Sequence, residues 1–362
     1  MMFLAMALPF LLVVPGLIQA SSVVPRNNDS FLTGFLAALE KKNLTSLAKT
    51  YADIAETEAG KPVIDLLKSG SLTLLAPDNN AFDPDHPDID PDVLQYSTLW
   101  GSIDDNFKTT NSSITRRGAN VQSHSSAPSG FPRRGASGGS KRSSGSLDQY
   151  QVQIIDQFFS TGSRKRWLND RVILVDRTVG SVKVVGRFTF KKIIILVIDT
   201  VLTLPEKISD ILSKPLIDST PNGFAKFGGG LQQTGLLDEV DDHDKITVCL
   251  LSLAQWSVLI NCMRTSQVFV PINDAFTSVD GLSSDDLTRI LKNHFSFGTI
   301  VYSPLFTSIS KVVAESGKGL KLTFVNDAQY VSCGQDKARV LRADVTTPNG
   351  VLHVIDKVLK CD

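Results

Sequence analysis

A motif that occurs twice is the feature that most constrains this chain. Residues 73–82 read Thr-Leu-Leu-Ala-Pro-Asp-Asn-Asn-Ala-Phe, and residues 268–276 read Val-Phe-Val-Pro-Ile-Asn-Asp-Ala-Phe. Each copy is an apolar run that ends at a proline and continues with Asn and then Ala-Phe. The proline predicts a buried strand that stops there, and the Asn suits a turn or a helix cap. We expect the Ala-Phe pair to pack the first helical turn onto the core.

Two further pairs of similar segments occur in the same order along the chain. Residues 193–202 and 350–359 are both β-rich apolar runs, closed by Asp199 and Asp356 respectively. A weaker match sets Ala38-Leu39 against Gly230-Leu231 on helices that open each copy. Three elements in the same order, found twice, predict two tandem units. The boundary is expected near residues 204–219, where prolines interrupt the chain.

These blocks resemble the two signatures of the fasciclin-like domain family. Residues 348–356 read Pro-Asn-Gly-Val-Leu-His-Val-Ile-Asp and match the second signature nearly throughout, whereas the first copy has Lys192-Ile193 where Asn-Gly is expected. The resemblance covers about residues 28–204 and 216–360. It implies an α+β fold of two tandem domains, each a β-wedge or sandwich with helices packed at one side. The structural signature residues are then Pro77, Asn79, Phe82, Pro271, Asn273, Phe276, Asn349, Gly350, His353 and Asp356.

The N-terminus indicates secretion. Residues 1–20 are almost wholly apolar and end in a small residue before Ser21-Ser22, which is typical of a cleaved signal peptide, although a signal anchor stays an alternative. Three triplets are candidate N-glycosylation sites, at Asn28, Asn43 and Asn111. The C-terminal residues carry no hydrophobic tail, so we expect no lipid anchor and no transmembrane segment in the mature chain. The predicted domains are residues 28–205 and 216–362.

Two segments depart from the repeat. Residues 106–147 are rich in Ser, Gly and Arg and contain no acidic residue, which predicts a disordered, basic surface loop. The loop could be merely solvated, contact polyanions, or be processed at its paired basic residues. Residues 249–268 form an apolar insertion that is expected to interrupt a core strand, and a retained intron is our hypothesis for it.

All four cysteines lie in the second predicted domain, two of them inside the insertion. Cys249 and Cys262 lie inside the insertion, whereas Cys333 and Cys361 lie outside it. An oxidising secretory route favours a disulfide between Cys333 and Cys361. Spacing alone leaves the connectivity open.

The sequence lacks the common motifs for metal and phosphate binding. The chain has no phosphate-binding loop, no His-Glu-x-x-His and no Cys-x-x-Cys, so we expect no enzyme activity, no metal and no cofactor. Lys plus Arg and Asp plus Glu both number 37, which gives no support to nucleic-acid binding. The acidic, Pro-rich residues 83–92 lack the Gly and Glu of a Ca²⁺ loop of the EF type and are expected to be a solvated loop.

The resemblance also implies where adhesion contacts would lie. His294 occupies the place of the family's Tyr-His motif, with Asn293 replacing the tyrosine, and Asp344-Val345 resembles an Asp-Ile adhesion motif. Structural roles for these residues stay open as alternatives. The implied function is non-enzymatic adhesion to cell-surface, wall or matrix components through weak multivalent contacts, in a secreted and loosely fungal context. The competing interpretation is a module that binds a wall polysaccharide or a small apolar ligand, and the oligomeric state stays unknown.

Overall fold

The computed structural model describes residues 29–85, 88–103, 108–110, 114–116, 119–121, 123–132, 150–159, 171–241, 247–253, 256–262, 266–326 and 328–362. The predicted signal peptide, Asn28 and Asn111 lie outside these residues. The α+β class expected from the sequence is confirmed, since the chain forms two units, each with a sheet and helices. Among the described residues no helix has the length and apolar character needed to cross a membrane.

The first unit begins with three helices and closes with a long sheet. Its helices are α1 (Ser30–Lys41), α2 (Thr45–Ala55), α3 (Lys61–Lys68) and α4 (Pro91–Tyr96). Its strands are β1 (Leu72–Pro77), β2 (Thr98–Trp100), β3 (Lys108–Thr110), β4 (Ile114–Arg116), β5 (Ala119–Val121), β6 (Ser123–Pro132), β7 (Tyr150–Phe159), β8 (Arg171–Asp176), β9 (Ser181–Phe190) and β10 (Ile193–Ile198).

The second unit repeats this order with shorter helices. Its helices are α5 (Ile208–Leu212), α6 (Ala225–Gln233), α7 (Leu237–Asp241), α8 (Asn273–Phe276) and α9 (Ser284–Leu291). Its strands are β11 (Thr247–Leu253), β12 (Trp256–Cys262), β13 (Ser266–Pro271), β14 (Phe295–Phe297), β15 (Lys311–Val313), β16 (Gly319–Val325), β17 (Ala328–Cys333), β18 (Asp336–Thr347) and β19 (Gly350–Ile355).

The two sheets share the order of seven strands, and the first sheet adds β3 at its edge and a pairing of β2 with β6. The first runs β2-β1-β10-β9-β8-β7-β6-β3, and the second runs β14-β13-β19-β18-β17-β16-β15. In each, the strand that ends at the signature proline lies parallel to the last strand, in matching register from Leu72↔Ile193 and from Ser266↔Gly350. The duplication seen in the sequence is therefore a duplication of topology.

Each unit buries apolar side chains on both faces of its sheet. In the first unit, α1, α2 and α3 cover one face of β1 and β10, and a second cluster fills the space between β10 and strands β6 to β9. Two clusters with the same arrangement occur in the second unit. Burial on both faces explains why β1, β10, β13 and β19 read as continuous apolar runs rather than as alternating patterns.

The signature asparagines pin a distant helix to the end of the central strand. Asn79 Oδ1 accepts a hydrogen bond from the Ser46 backbone N–H, and its Nδ2 donates to the Asn43 carbonyl. Asn273 does the same at the start of α6, through Lys226 and Gly223. Each side chain thus satisfies a backbone group that the first turn of a helix leaves unpaired.

This equivalence corrects the weakest sequence match. Because Asn79 holds α2 and Asn273 holds α6, α6 corresponds to α2 and not to α1. Leu39 lies on α1 and Leu231 on α6, so the pairing of Ala38-Leu39 with Gly230-Leu231 was wrong. The helical period of apolar residues is shared by all these helices, and it cannot tell one helix from the next.

The signature aspartates act as a second matched pair. Asp199 Oδ1 accepts from the Lys183 backbone N–H at the start of β9, and Asp356 Oδ1 accepts from Arg339 in β18. The backbone N–H of each aspartate also donates to the carbonyl of the same partner residue. In each unit, these two hydrogen bonds join the end of the last strand to the strand that precedes it.

The prediction of a disordered loop over residues 106–147 is wrong for Ser123–Pro132. This segment is strand β6, which pairs with β7 and touches β2 at Leu99↔Ser129, and residues 125–130 are buried. The composition argument failed because backbone pairing needs no apolar side chains of its own. Residues 133–147, with most of the predicted basic side chains, lie outside the described residues.

The apolar insertion does not interrupt the core strand. Strand β13 begins at Ser266, so residues 266–268 belong to it, and all six of its residues are buried. The preceding β11 and β12 pair with each other as an antiparallel hairpin, in a two-stranded sheet apart from the main sheet. The expectation that residues 249–268 would disturb the register was therefore wrong, whereas the intron hypothesis stays a prediction.

Replacing either signature asparagine by alanine should weaken the fold. Asn79→Ala and Asn273→Ala each remove the hydrogen bonds that hold a helix start, at an expected cost of about 1–2 kcal/mol in free energy of unfolding. Chemical denaturation of the full chain measures this. Asn80→Ala is the matched control, because Asn80 is exposed and lies next to Asn79; an equal effect of all three variants would contradict the assigned role.

Candidate functional site

The histidine of the second signature lies in a closed core cluster. The His353 ring stacks on Phe269 with a 5.3 Å centroid separation and meets the edge of Phe306 at 5.6 Å. Its Nδ1 accepts a hydrogen bond of 3.2 Å from the Asp344 backbone N–H. With no exposed surface, the ring has no access to a substrate, and its geometry is that of a packing residue.

Asp344 is committed to the same cluster. Its carboxylate accepts hydrogen bonds from the backbone N–H and the hydroxyl of Ser303, and it lies 3.8 Å from His353 Nδ1. The residue has a φ of 60°, a left-handed conformation that aspartate tolerates better than most side chains. Val345 beside it packs in the helix-side core. Asp344 thus ties the turn at residues 303–305 to strand β18.

His294 and its neighbour hold the C-terminal segment. His294 Nδ1 lies 2.9 Å from the Ile290 carbonyl, and its Nε2 accepts a 3.0 Å hydrogen bond from the Leu359 N–H. The Asn293 side chain donates to the carbonyls of Leu359 and Lys360. Neutral imidazole with its proton on Nδ1 satisfies both contacts of His294.

The predicted disulfide is confirmed and strengthens the same clamp. Cys333 at the end of β17 is bonded to Cys361. The Asp336 carboxylate accepts from the backbone N–H groups of Lys360 and Cys361, and Gln335 donates its N–H to the Asp362 carbonyl. Residues 359–362, which we call the C-terminal clamp segment, are therefore held by side chains from the turn that follows α9, from β17 and from β18.

The candidate adhesion residues are buried. His294, Asp344 and Val345 have exposed fractions of 0%, 1% and 1%. A partner could reach them only after local unfolding, so their burial argues for structural roles and against direct contact. The resemblance pointed to these positions, but the motif alone carried no information on exposure.

Sequence reasoning missed a buried contact between the two units. Arg342 of β18 donates to the carbonyls of Arg177 and Thr178 at 2.6 and 2.7 Å, to the Leu216 carbonyl at 2.8 Å, and lies 3.4 Å from the Asp176 carboxylate. The side chain is only 7% exposed. A partial signal existed, since Arg339 and Arg342 both lie among apolar residues of this strand, and an arginine that the strand buries requires a partner.

Apolar and polar contacts extend this interface. Val152 and Ile154 of β7 pack against Tyr302 and Val351 of the second unit. The Gln151 side chain donates to the Pro348 carbonyl at the tip of the β18–β19 hairpin. The first unit therefore uses strand β7 to cover one end of the second unit's signature strand.

The described residues form a small cleft beside the linker. This cleft of about 180 Å³ lies where the linker meets α6 and α8, and its lining is Ser219, Thr220, Pro221, Asn222, Gly223, Ile272, Asn273 and Asp274. This volume is below the range usual for small-molecule sites, and the lining holds no aromatic ring. Within the described residues no cluster of three or more His, Cys, Asp or Glu could hold a metal ion.

Stability should fall on acidification through His294. Burial lowers the pKa of this imidazole to about 4, against the opposing effects of the Ile290 carbonyl and the Asp336 carboxylate. The unfolded state, with a pKa near 6.5, takes up its proton first. The free energy of unfolding contributed by this group is therefore intact above pH 6.5, and about 3 kcal/mol is lost as the pH falls from about 6.5 to about 4.

The test compares pH profiles of the native chain and His294→Gln. Both proteins are denatured chemically at pH values from about 8 to about 4, and the difference between the profiles isolates His294, since all other groups are common to both. The variant should show the shallower slope. Parallel profiles would contradict the role given to His294.

Removing the Arg342 side chain should weaken the coupling between the units. Arg342→Met leaves the carbonyls of Thr178 and Leu216 without this donor, at an expected cost of about 3 kcal/mol in free energy of unfolding. Arg339→Met, an exposed position on the same strand, should change it by less than about 0.5 kcal/mol. Thermal unfolding of the full chain checks both values, and equal effects would refute the assigned contact.

Comparison with known proteins identifies a family for the second unit. The family described as Fasciclin domain matches residues 222–361. A "Fasciclin-like arabinogalactan protein" from Arthroderma benhamiae is 28% identical over 170 residues, covering 46% of this chain and 33% of that protein. The chain thus corresponds to about a third of the length of this relative.

A solved structure from an insect protein is also similar. It is titled "Novel Fold Revealed by the Structure of a FAS1 Domain Pair from the Insect Cell Adhesion Molecule Fasciclin I". The comparison covers 87% of this chain and 97% of that chain, with 14% identity and a TM-score of 0.35. The family match assigns a Fasciclin domain to residues 222–361, and the first unit repeats the order of its central strands.

Proposed function

We propose that this chain is a non-enzymatic, secreted protein that adheres to cell-surface, wall or matrix components through its two fasciclin-like units. The observation that carries the proposal is the pair of matched units joined through the buried Arg342. Two binding units held at one spacing raise the effective concentration of the second contact after the first has formed. Weak individual contacts then suffice for retention on a surface that repeats its ligands.

An extracellular location fits the covalent chemistry of the chain. The Cys333–Cys361 disulfide is of a kind that persists in oxidising compartments. Asn43, one of the predicted glycosylation sites, is exposed at the turn between α1 and α2, where a glycan could be attached without displacing core side chains. We propose the domain boundaries 28–205 and 216–362 for the mature chain.

The arrangement of the histidines supports binding rather than catalysis. His294 and His353 are buried, and each ring is engaged in contacts that maintain the fold. A general base must reach the proton that it abstracts, and neither ring faces a cleft. The competing function, a site for a small apolar ligand, gains no support from the cleft lined by residues 219–223 and 272–274.

Retention on isolated cell walls and on whole cells tests the proposal. The secreted full chain should be retained at about 50 mM salt and released progressively towards about 500 mM, because exposed charged contacts are screened by salt. Heat-unfolded protein is the control for non-specific sticking. Loss of retention on both surfaces at low salt would refute the adhesive function.

A further inference from the structure

The hairpin formed by the last two strands is β9–β10 in the first unit and β18–β19 in the second. The residues at its tip differ in chemistry between the two units. In register, Lys191-Lys192 of the first unit stands where the second unit has Pro348-Asn349. In the second unit this tip is covered, since Asn349 is buried and Pro348 accepts a hydrogen bond from Gln151. In the first unit both lysines are exposed. The same structural position is an internal contact in one unit and a basic surface in the other.

Aromatic rings hold two of the exposed ammonium groups in place. Lys191 Nζ lies 4.8 Å from the Phe31 ring centroid and 5.4 Å from that of Phe190. Lys42 Nζ lies 5.6 Å from the Phe188 centroid. Such contacts restrict a flexible side chain while leaving its N–H groups able to meet an anion.

Strand β9 continues this surface away from the tip. Strand β9 bulges at the exposed Val185, where its register with β10 shifts, and the alternation of its side chains reverses there. Val182 and Val184 pack inside the sheet before the bulge, so Lys183 between them points to the opposite face. Phe188 and Phe190 point to that face too, because they pack against the helix-side core. From Lys183 to Phe190 the strand spans about 23 Å. We call the surface made by Lys42, Lys183, Val185, Phe188, Lys191 and Lys192 the basic hairpin strip.

The charges of the strip have no acidic partner in the part of the chain that the structure describes. Among the described residues, no carboxylate forms an ion pair with Lys42, Lys183, Lys191 or Lys192. Residues 181–192 contain no acidic side chain. Turn chemistry does not explain Lys191 either, because its φ of 51° is a conformation that favours glycine or asparagine over lysine.

From these contacts we propose that the basic hairpin strip binds an extended polyanionic polysaccharide whose sugars carry carboxylates, a uronic-acid polymer. Its repeated carboxylates match ammonium groups spread over about 23 Å, which a compact anion could not span. The exposed Val185 and the half-buried phenylalanine rings lie between the cations and offer apolar surface to the C–H faces of the sugars. The inference rests on the proposed adhesive function and names the partner of the first unit.

Binding to polygalacturonate, measured by calorimetry with the full chain, tests this inference. Lys191→Asn/Lys192→Asn removes two charges and places at residue 191 a side chain that adopts positive φ more readily. The affinity should fall at least about tenfold, with an unchanged or higher melting temperature. Lys191→Arg/Lys192→Arg should retain most of the affinity, since the charges remain.

The matched control is Lys318→Asn/Lys321→Asn, which makes the same change of net charge at exposed lysines of the second unit. This variant should bind within about twofold of the native chain. Equal losses in the two asparagine pairs would overturn the inference, because net charge would then explain binding. Equal affinity for polyglutamate or for anionic phospholipid vesicles would also overturn it, because the sugar would contribute nothing.

The outcome is separable from that of the adhesion experiment. If the Lys191→Asn/Lys192→Asn chain is retained on cell walls as well as the native chain while polygalacturonate binding is absent in both, the strip is not the wall-binding surface and the inference fails, whereas the adhesive function stands. If the native chain binds polygalacturonate but is not retained on walls or cells, the adhesive function fails instead.

Discussion

The parallel pairing of β1 with β10, and of β13 with β19, is the constraint on which the rest of each unit depends. Parallel neighbours cannot be joined by a tight hairpin, so the chain between them must leave the sheet and return. Here the returning chain supplies all the other strands of the sheet. The pairing therefore forms between residues far apart in sequence, such as Leu72 and Ile193, and its loop-closure entropy has to be offset by burial on both faces.

The signature side chains stabilise the ends of that central pair. Asn79 and Asn273 attach the preceding helix where the first strand ends, and Asp199 and Asp356 attach the neighbouring hairpin where the last strand ends. All four make hydrogen bonds to backbone groups, which are present whatever side chains the partner residues carry. This explains how the two units can share these contacts while Ser46 and Lys226, or Lys183 and Arg339, differ.

The central strands and the disulfide were predicted well from the sequence, because their signals are local or repeated. Apolar runs ending at Pro77 and Pro271 predicted strands that do end there, and the cysteine argument led to the correct disulfide. The partners of Arg342 were not predictable, since they are backbone carbonyls more than a hundred residues away. Nor was strand β6, whose Ser-rich sequence is buried through pairing rather than hydrophobicity. Motifs marked His294 and Asp344 as candidate adhesion residues, but burial depends on neighbours that a motif does not name.

The first unit has lost most of the second signature, and this changes the chemistry of its core. His353 is replaced in register by Leu196, and its stacking partner Phe269 by Leu75, so the polar core cluster of the second unit becomes an all-apolar core in the first. Hairpin β18–β19 has to maintain the contact between Asp344 and His353, and its tip is covered by the first unit. Hairpin β9–β10 has no such cluster, and its tip residues are exposed. Charged residues at 191 and 192 are therefore compatible with the fold. Both copies of the duplicated domain keep the parallel central strands, while the position that the second copy uses for internal packing is an exposed surface in the first.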